Sequence, residues 1–192
     1  MGHDVSHVKV QYETVEDWEA WELGPEFWKR QKERDVETYH TTEVAAIWYE
    51  KKKFVKRAMD ICDASVFIWC DAGCVRDDVS ERAMKDFGLR NVPLDDGRLH
   101  VQHIRNQSYK PWYVYPAYRF AGAIIAGNRS AWTEFDALYQ CVLHDYDKNE
   151  ICTHSDQYIM ASCQDRDPNL FCDHYPIPLD TINPWFFFLA KL

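Results

Sequence analysis

The chain has 192 residues, 46% hydrophobic and 15% aromatic, which is enough for one α/β domain with a sizeable core and argues against a disordered chain. With 31 acidic and 22 basic residues the net charge is −9, so a global electrostatic attraction to nucleic acid or to an anionic membrane is not expected. An anionic substrate would need a local cluster of Lys, Arg or metal. The seven cysteines (62, 70, 74, 141, 152, 163 and 172) are odd in number and residues 1–11 contain no apolar run, so reduced thiols in a cytoplasmic protein are expected. No apolar stretch approaches membrane-spanning length.

In chain order, residues 8–12 (VKVQY) alternate and read as a short strand. An aromatic segment over 16–28 leads to Pro25, which starts a helix running to about Arg34. Thr41 or Thr42 caps the next helix, 43–61, whose apolar positions Val44, Ile47, Trp48, Val55, Ala58, Met59 and Cys62 keep helical spacing. Lys51, Lys52 and Lys53 fall in its middle. Residues 65–70 (SVFIWC) are apolar on both parities, the pattern of a central strand covered on both faces. Asp71-Ala72-Gly73-Cys74-Val75-Arg76 follows at its C-terminal end, where α/β sheets bind ligands. A short helix over 79–87, a turn at 93–97 and a strand over 99–104 come next. A loop rich in Tyr, Trp and Pro covers 106–116, where Trp112, Tyr113 and Tyr115 are stacking candidates for a sugar or a packed lid. Residues 121–126 (AGAIIA) form a small-residue strand ending at Gly127. Asn128 or Ser130 then caps a helix through Trp132, Phe135, Leu138, Tyr139, Val142 and Leu143. Ser155 caps another from Asp156, and 171–179 with 184–192 form an aromatic tail. Strands alternate with helices and no linker interrupts them, which predicts a single α/β domain over 1–192.

Read alone, Asp71 is a cation ligand or a turn aspartate, and Gly73 admits a phosphate or simply makes the turn. Arg76 suits bidentate phosphate binding or an ion pair with Asp77 or Asp78. Lys51 can reach a phosphate, although its neighbours suggest a solvated run. Gly122 and Gly127 admit a close ligand or tight packing. Arg119 holds phosphate or acceptor, or lies on the surface. Asp156 is a general base or an acid at a helix N-terminus. Cys152-x-His154 and Cys172-x-His174 do not fit the spacing of structural zinc sites.

Separate segments, in order, carry a resemblance. TYHTTEVAAIWYEKKKFVKRAMDI followed by SVFIWCDAGCVR supplies Trp48, Lys51, Trp69, Asp71, Ala72, Gly73 and Arg76. RFAGAIIAGNRSAWTEF, HSDQYIM and PWFFFLAKL complete the order. Over residues 26–192 the chain resembles the HtrL/YibB-type glycosyltransferase-like family of bacteria and large DNA viruses. The resemblance implies a GT-A type fold, α/β with a mixed, mostly parallel sheet flanked by helices. It also implies that an N-terminal strand–helix unit, which helps build the nucleotide site in the family, is missing here.

The implied activity is transfer of a sugar from a nucleotide sugar, UDP-sugar above all, to a glycan or other hydroxyl acceptor. Asp71 would hold Mn²⁺ or Mg²⁺ on the donor diphosphate, with one ligand supplied from elsewhere because the usual Asp-x-Asp is Asp-x-Gly. His174 would be a late metal-binding histidine. Lys51, Gly73, Arg76, Arg119, Gly122 and Gly127 would bind donor and phosphate, and Asp156 would be the catalytic carboxylate. A non-catalytic glycan- or nucleotide-binding module with a degenerate donor site is the competing reading. A metal-dependent phosphohydrolase is a third, but no second acidic motif or His pair supports it.

Overall fold

The computed structural model describes residues 13–74, 78, 81, 93–104 and 119–175. Arg76, the strand expected over 8–12, the loop over 106–116 and the chain beyond 175 lie outside these residues, as does the helix expected over 79–87 apart from Glu81, which is helical.

Two 3-10 turns, Val15–Asp17 and Glu19–Leu23, lead to Gly24, whose φ of 83° reverses the chain ahead of Pro25. Pro25 opens helix α1, Pro25–Arg34, where its missing N–H costs nothing. Thr41 caps α2, Thr42–Ile61, by accepting from Val44 N at 3.3 Å. Strand β1 is Val66–Cys70, β2 is Leu99–His103 and β3 is Phe120–Asn128. Asn128 caps α3, Arg129–Lys148, accepting from Ala131 N at 2.9 Å. Helix α4 is Asp156–Arg166, and β4 is Phe171–His174.

The architecture is mixed α/β, with four strands in the order β1-β3-β2-β4. β3 runs antiparallel to β1 and β2, and only β2 and β4 are parallel, so the described sheet is mostly antiparallel rather than mostly parallel. The long fully buried β3 is a central strand, and β1 lies at an edge of the described sheet. Among the described residues SVFIWC is therefore an edge strand rather than the central one expected. Its apolar pattern is nonetheless real on both faces. Phe67 and Trp69 pack into the large core beneath the helices, whereas Ile68 packs on Cys74, Ala123, Ile124 and Ala126 on the other side. Apolarity on both faces therefore does not fix a strand's place in the sheet order.

Helix α2 packs on β1, and α3 and α4 pack on β3. Trp132 of α3 fills the core and donates its indole N–H to Phe67 O at 3.1 Å, tying helix to strand. Residues 122–124 of β3 bulge out of the β2 pairing, which steps from Val101↔Ile125 to Gln102↔Ala121. The bulge turns the Gly122 carbonyl off the ladder and toward α2.

Candidate functional site

Lys51 is the hub. Three consecutive lysines sweep about 200° of a helix with 3.6 residues per turn, so they leave α2 in three directions. All three are buried, contrary to the solvated run expected from sequence, because α2 lies between β1, α3 and the 3-10 turn Glu19–Leu23. Lys53 pairs with Asp136 at 2.9 Å. Lys52 donates to Tyr49 O at 2.6 Å and lies 3.3 Å from the centroid of the Tyr49 ring and 4.0 Å from that of Tyr139; burial pulls its pKa well below the lysine range.

Lys51 Nζ reaches the sheet. It donates to Gly122 O at 2.9 Å and to Asp156 Oδ2 at 3.0 Å, and it stands 3.4 Å from Asp71 Oδ1. Four positions singled out from the sequence therefore meet, from α2, the end of β1, the β3 bulge and the first residue of α4. Burial disfavours the ammonium, but Asp156 and Asp71 outweigh it and hold Lys51 above the usual lysine range.

Asp71 continues the ladder beyond β1, its N–H donating to Ala123 O at 2.8 Å. Oδ1 accepts from the Trp69 indole N–H at 2.6 Å. Oδ2 has no hydrogen bond among the described residues, and the side chain is 37% exposed, so this oxygen is the open acceptor of the cluster. Burial pushes the carboxyl up, Lys51 and Trp69 pull it back, Asp156 repels it, and the balance lies above the usual aspartate range. Trp69 is a site residue to which sequence reasoning gave no role; its i, i+2 spacing from Asp71 was the available signal. Exposed Gly73 lies in the 3-10 turn Ala72–Cys74 just beyond.

Asp156 is closed in. Its side chain is 8% exposed, and a Cβ added to Gly122 would lie 2.6 Å from its Oδ2. Gly122 is thus glycine because the carboxylate takes the space of a side chain. Gln157 donates to Phe120 O and fixes the start of α4 against β3. The Lys51 ammonium stands 3.0 Å from Asp156 Oδ2, so this carboxylate holds Lys51 in place.

Other expected members lie elsewhere. Gly127 pairs with Phe67 and Leu99 at the far end of β3, where an added Cβ would lie 3.1 Å from Arg98 O; its role is close packing. Arg119, just before β3, lies 5.2 Å from the centroid of the Phe120 ring, and its charge acts on Asp173 of β4. His174 ends β4, three strand spacings or about 14 Å from β1. Metal–ligand bonds are roughly 2 Å long, so His174 and Asp71 do not share one ion. His174 Nε2 instead faces His100 Nδ1 at 3.0 Å. His100, Cys172 and His174 form one group with ligand atoms within 4.8 Å of one another, and Asp35, Cys152 and His154 form another.

The donor set at Asp71 fits one cation use. A hard carboxylate oxygen, open on one side, suits a Mg²⁺-like ion completed by phosphate oxygens and water, and does not suffice for a metal held by protein alone. No helix among the described residues is long and apolar enough to cross a membrane. No protein-family model, curated protein or solved structure matches this chain.

Proposed function

We propose that the chain is a metal-assisted glycosyltransferase that moves a sugar from a nucleotide sugar, UDP-sugar above all, to a glycan or other hydroxyl acceptor, on a GT-A-like fold. The observation that carries the reading is the meeting of Lys51, Asp71, Gly122 and Asp156 at the C-terminal end of β1. Bare composition does not bring an ammonium and an open carboxylate to one strand end; a site for a phosphorylated ligand uses both.

In this reading Asp71 Oδ2 is the protein ligand of Mn²⁺ or Mg²⁺. Such an ion, when bound, neutralises charge developing on the departing nucleoside diphosphate. Lys51 presents a second positive charge beside Asp71 and stays protonated because two carboxylates face it. Asp156 and the Gly122 carbonyl aim that ammonium, which limits its motion and pre-organises it for an anion. Trp69 orients Asp71 by engaging one oxygen and leaving the other open.

A second reading has its own support. Asp156 is engaged by Lys51, and the cluster has one open carboxylate, which favours a nucleotide- or glycan-binding module without turnover. The test is release of nucleoside diphosphate from a panel of nucleotide sugars, with and without Mn²⁺ and oligosaccharide acceptors. Mn²⁺-dependent release that Asp71→Asn abolishes supports transfer. Mn²⁺-dependent binding without release supports the module. Neither binding nor release overturns both.

A further inference from the structure

Two thiols bracket the turn that carries Asp71. Cys70 ends β1 and Cys74 closes the 3-10 turn Ala72–Cys74. Their Sγ atoms lie 2.8 Å apart. Non-bonded heavy atoms rest about 3.5–4.0 Å apart, and a disulfide joins at about 2.0 Å, so the pair stands between contact and bond. The backbone produces this approach. Cys74 N–H donates to Asp71 O at 3.0 Å, which folds the chain back under the end of β1. Cys74 is 4% exposed and packed on Ala123, Ile124 and Ala126, whereas Cys70 is exposed. One sulfur is therefore open to a reagent and the other waits behind it.

We propose that Cys70 and Cys74 are a reversible redox site, closed to an intramolecular disulfide by a small-molecule disulfide such as oxidised glutathione. The Cys70 thiolate attacks one glutathione sulfur and expels the first reduced glutathione, leaving a mixed disulfide. Cys74 loses its proton and attacks the Cys70 sulfur, expelling the second. Two S–H bonds are lost and one S–S bond forms, while one oxidised glutathione becomes two reduced molecules. The second step is fast, because the resolving sulfur is already in contact. The closed bond braces the loop that runs from the end of β1 through Asp71 and Gly73. This site does not depend on the glycosyl-transfer reading.

The test equilibrates the full chain in glutathione buffers of graded potential, quenches with acid and maps thiols by peptide mass spectrometry. The expected result is paired loss of Cys70 and Cys74 into one internal disulfide, with no build-up of glutathione on Cys70. In Cys74→Ser, glutathione should remain on Cys70 as a stable adduct. Glutathione accumulating on wild-type Cys70 with Cys74 still reduced would overturn the proposal. So would a Cys70–Cys74 pair still reduced after exposed Cys62 and Cys141 have reacted. The wild-type reading suffices even where a variant folds poorly.

Discussion

The Lys51 ammonium and the Asp156 carboxylate meet at 3.0 Å, with side chains only 7% and 8% exposed. Position 51 lies mid-helix and position 156 starts another helix, so the pair joins α2 to α4 across the end of β3. Removing one partner of such a buried pair leaves an uncompensated charge. Lys51→Met should therefore destabilise the fold by about 3–5 kcal/mol, read as a lower urea midpoint. A loss within experimental error would mean that the pair is solvated.

The same pair sets a pH dependence. The Lys51 pKa lies above its ordinary 10.5 because Asp156 and Asp71 outweigh burial. Stability from a raised base is fully present below the unfolded value and is lost as pH rises through the folded one. The gap in urea stability between wild type and Lys51→Met should hold steady from neutral pH and narrow only above 10.5. Narrowing that starts well below that value would contradict the account.

Gly122→Ala should cost about 1–3 kcal/mol by overpacking, since the new methyl would meet Asp156 Oδ2 at 2.6 Å. The cost should shrink when Asp156 is also changed to Ala. A double-mutant cycle on denaturant curves measures this, and strictly additive effects would place the strain elsewhere.

Asp147 anchors α1 to the end of α3 by accepting from Arg30 and Arg34, both at 2.7 Å, and from Gln31 at 2.9 Å. Burial would raise its pKa, but the arginine hydrogen bonds outweigh it and hold the carboxyl below 3.8. Stability from a depressed acid is present above the unfolded value and is lost as pH falls through the folded one. Asp147→Asn should be less stable by about 1–2 kcal/mol at neutral pH. The difference should close below 3.8 in acid unfolding curves. A gap that persists there would assign the effect to packing.

Local signals carried much of this fold. Thr41, Pro25 and Asn128 mark helix starts through caps that need only a few neighbouring residues, and all three helices begin there. The end of β1 and the start of α4 were legible from neighbouring residues too, although Ser155 makes no side-chain cap bond, and this placed Asp71 and Asp156 correctly in the chain. Strand order was not legible, because β1 pairs with β3 more than 50 residues later and no period in either strand names its partner. The burial of Lys51, Lys52 and Lys53 was equally hidden. It depends on Asp156, Asp136 and the Tyr139 ring, which only the tertiary fold brings to α2. His174 was legible as a candidate metal ligand, but its neighbours were not: the fold groups it with His100 and Cys172 rather than with Asp71.

In the proposed reading, Asp71 is the open carboxylate that couples a cation to a nucleotide. Titration calorimetry of UDP against the chain, with and without Mn²⁺, in wild type and Asp71→Asn, tests this most directly. Wild type should bind UDP more tightly in Mn²⁺, and Mn²⁺ more tightly in UDP, by the same factor. Asp71→Asn keeps the shape and removes the charge, so it should fold and lose that coupling. No UDP binding by the wild-type chain, or unchanged coupling in Asp71→Asn, would contradict the account.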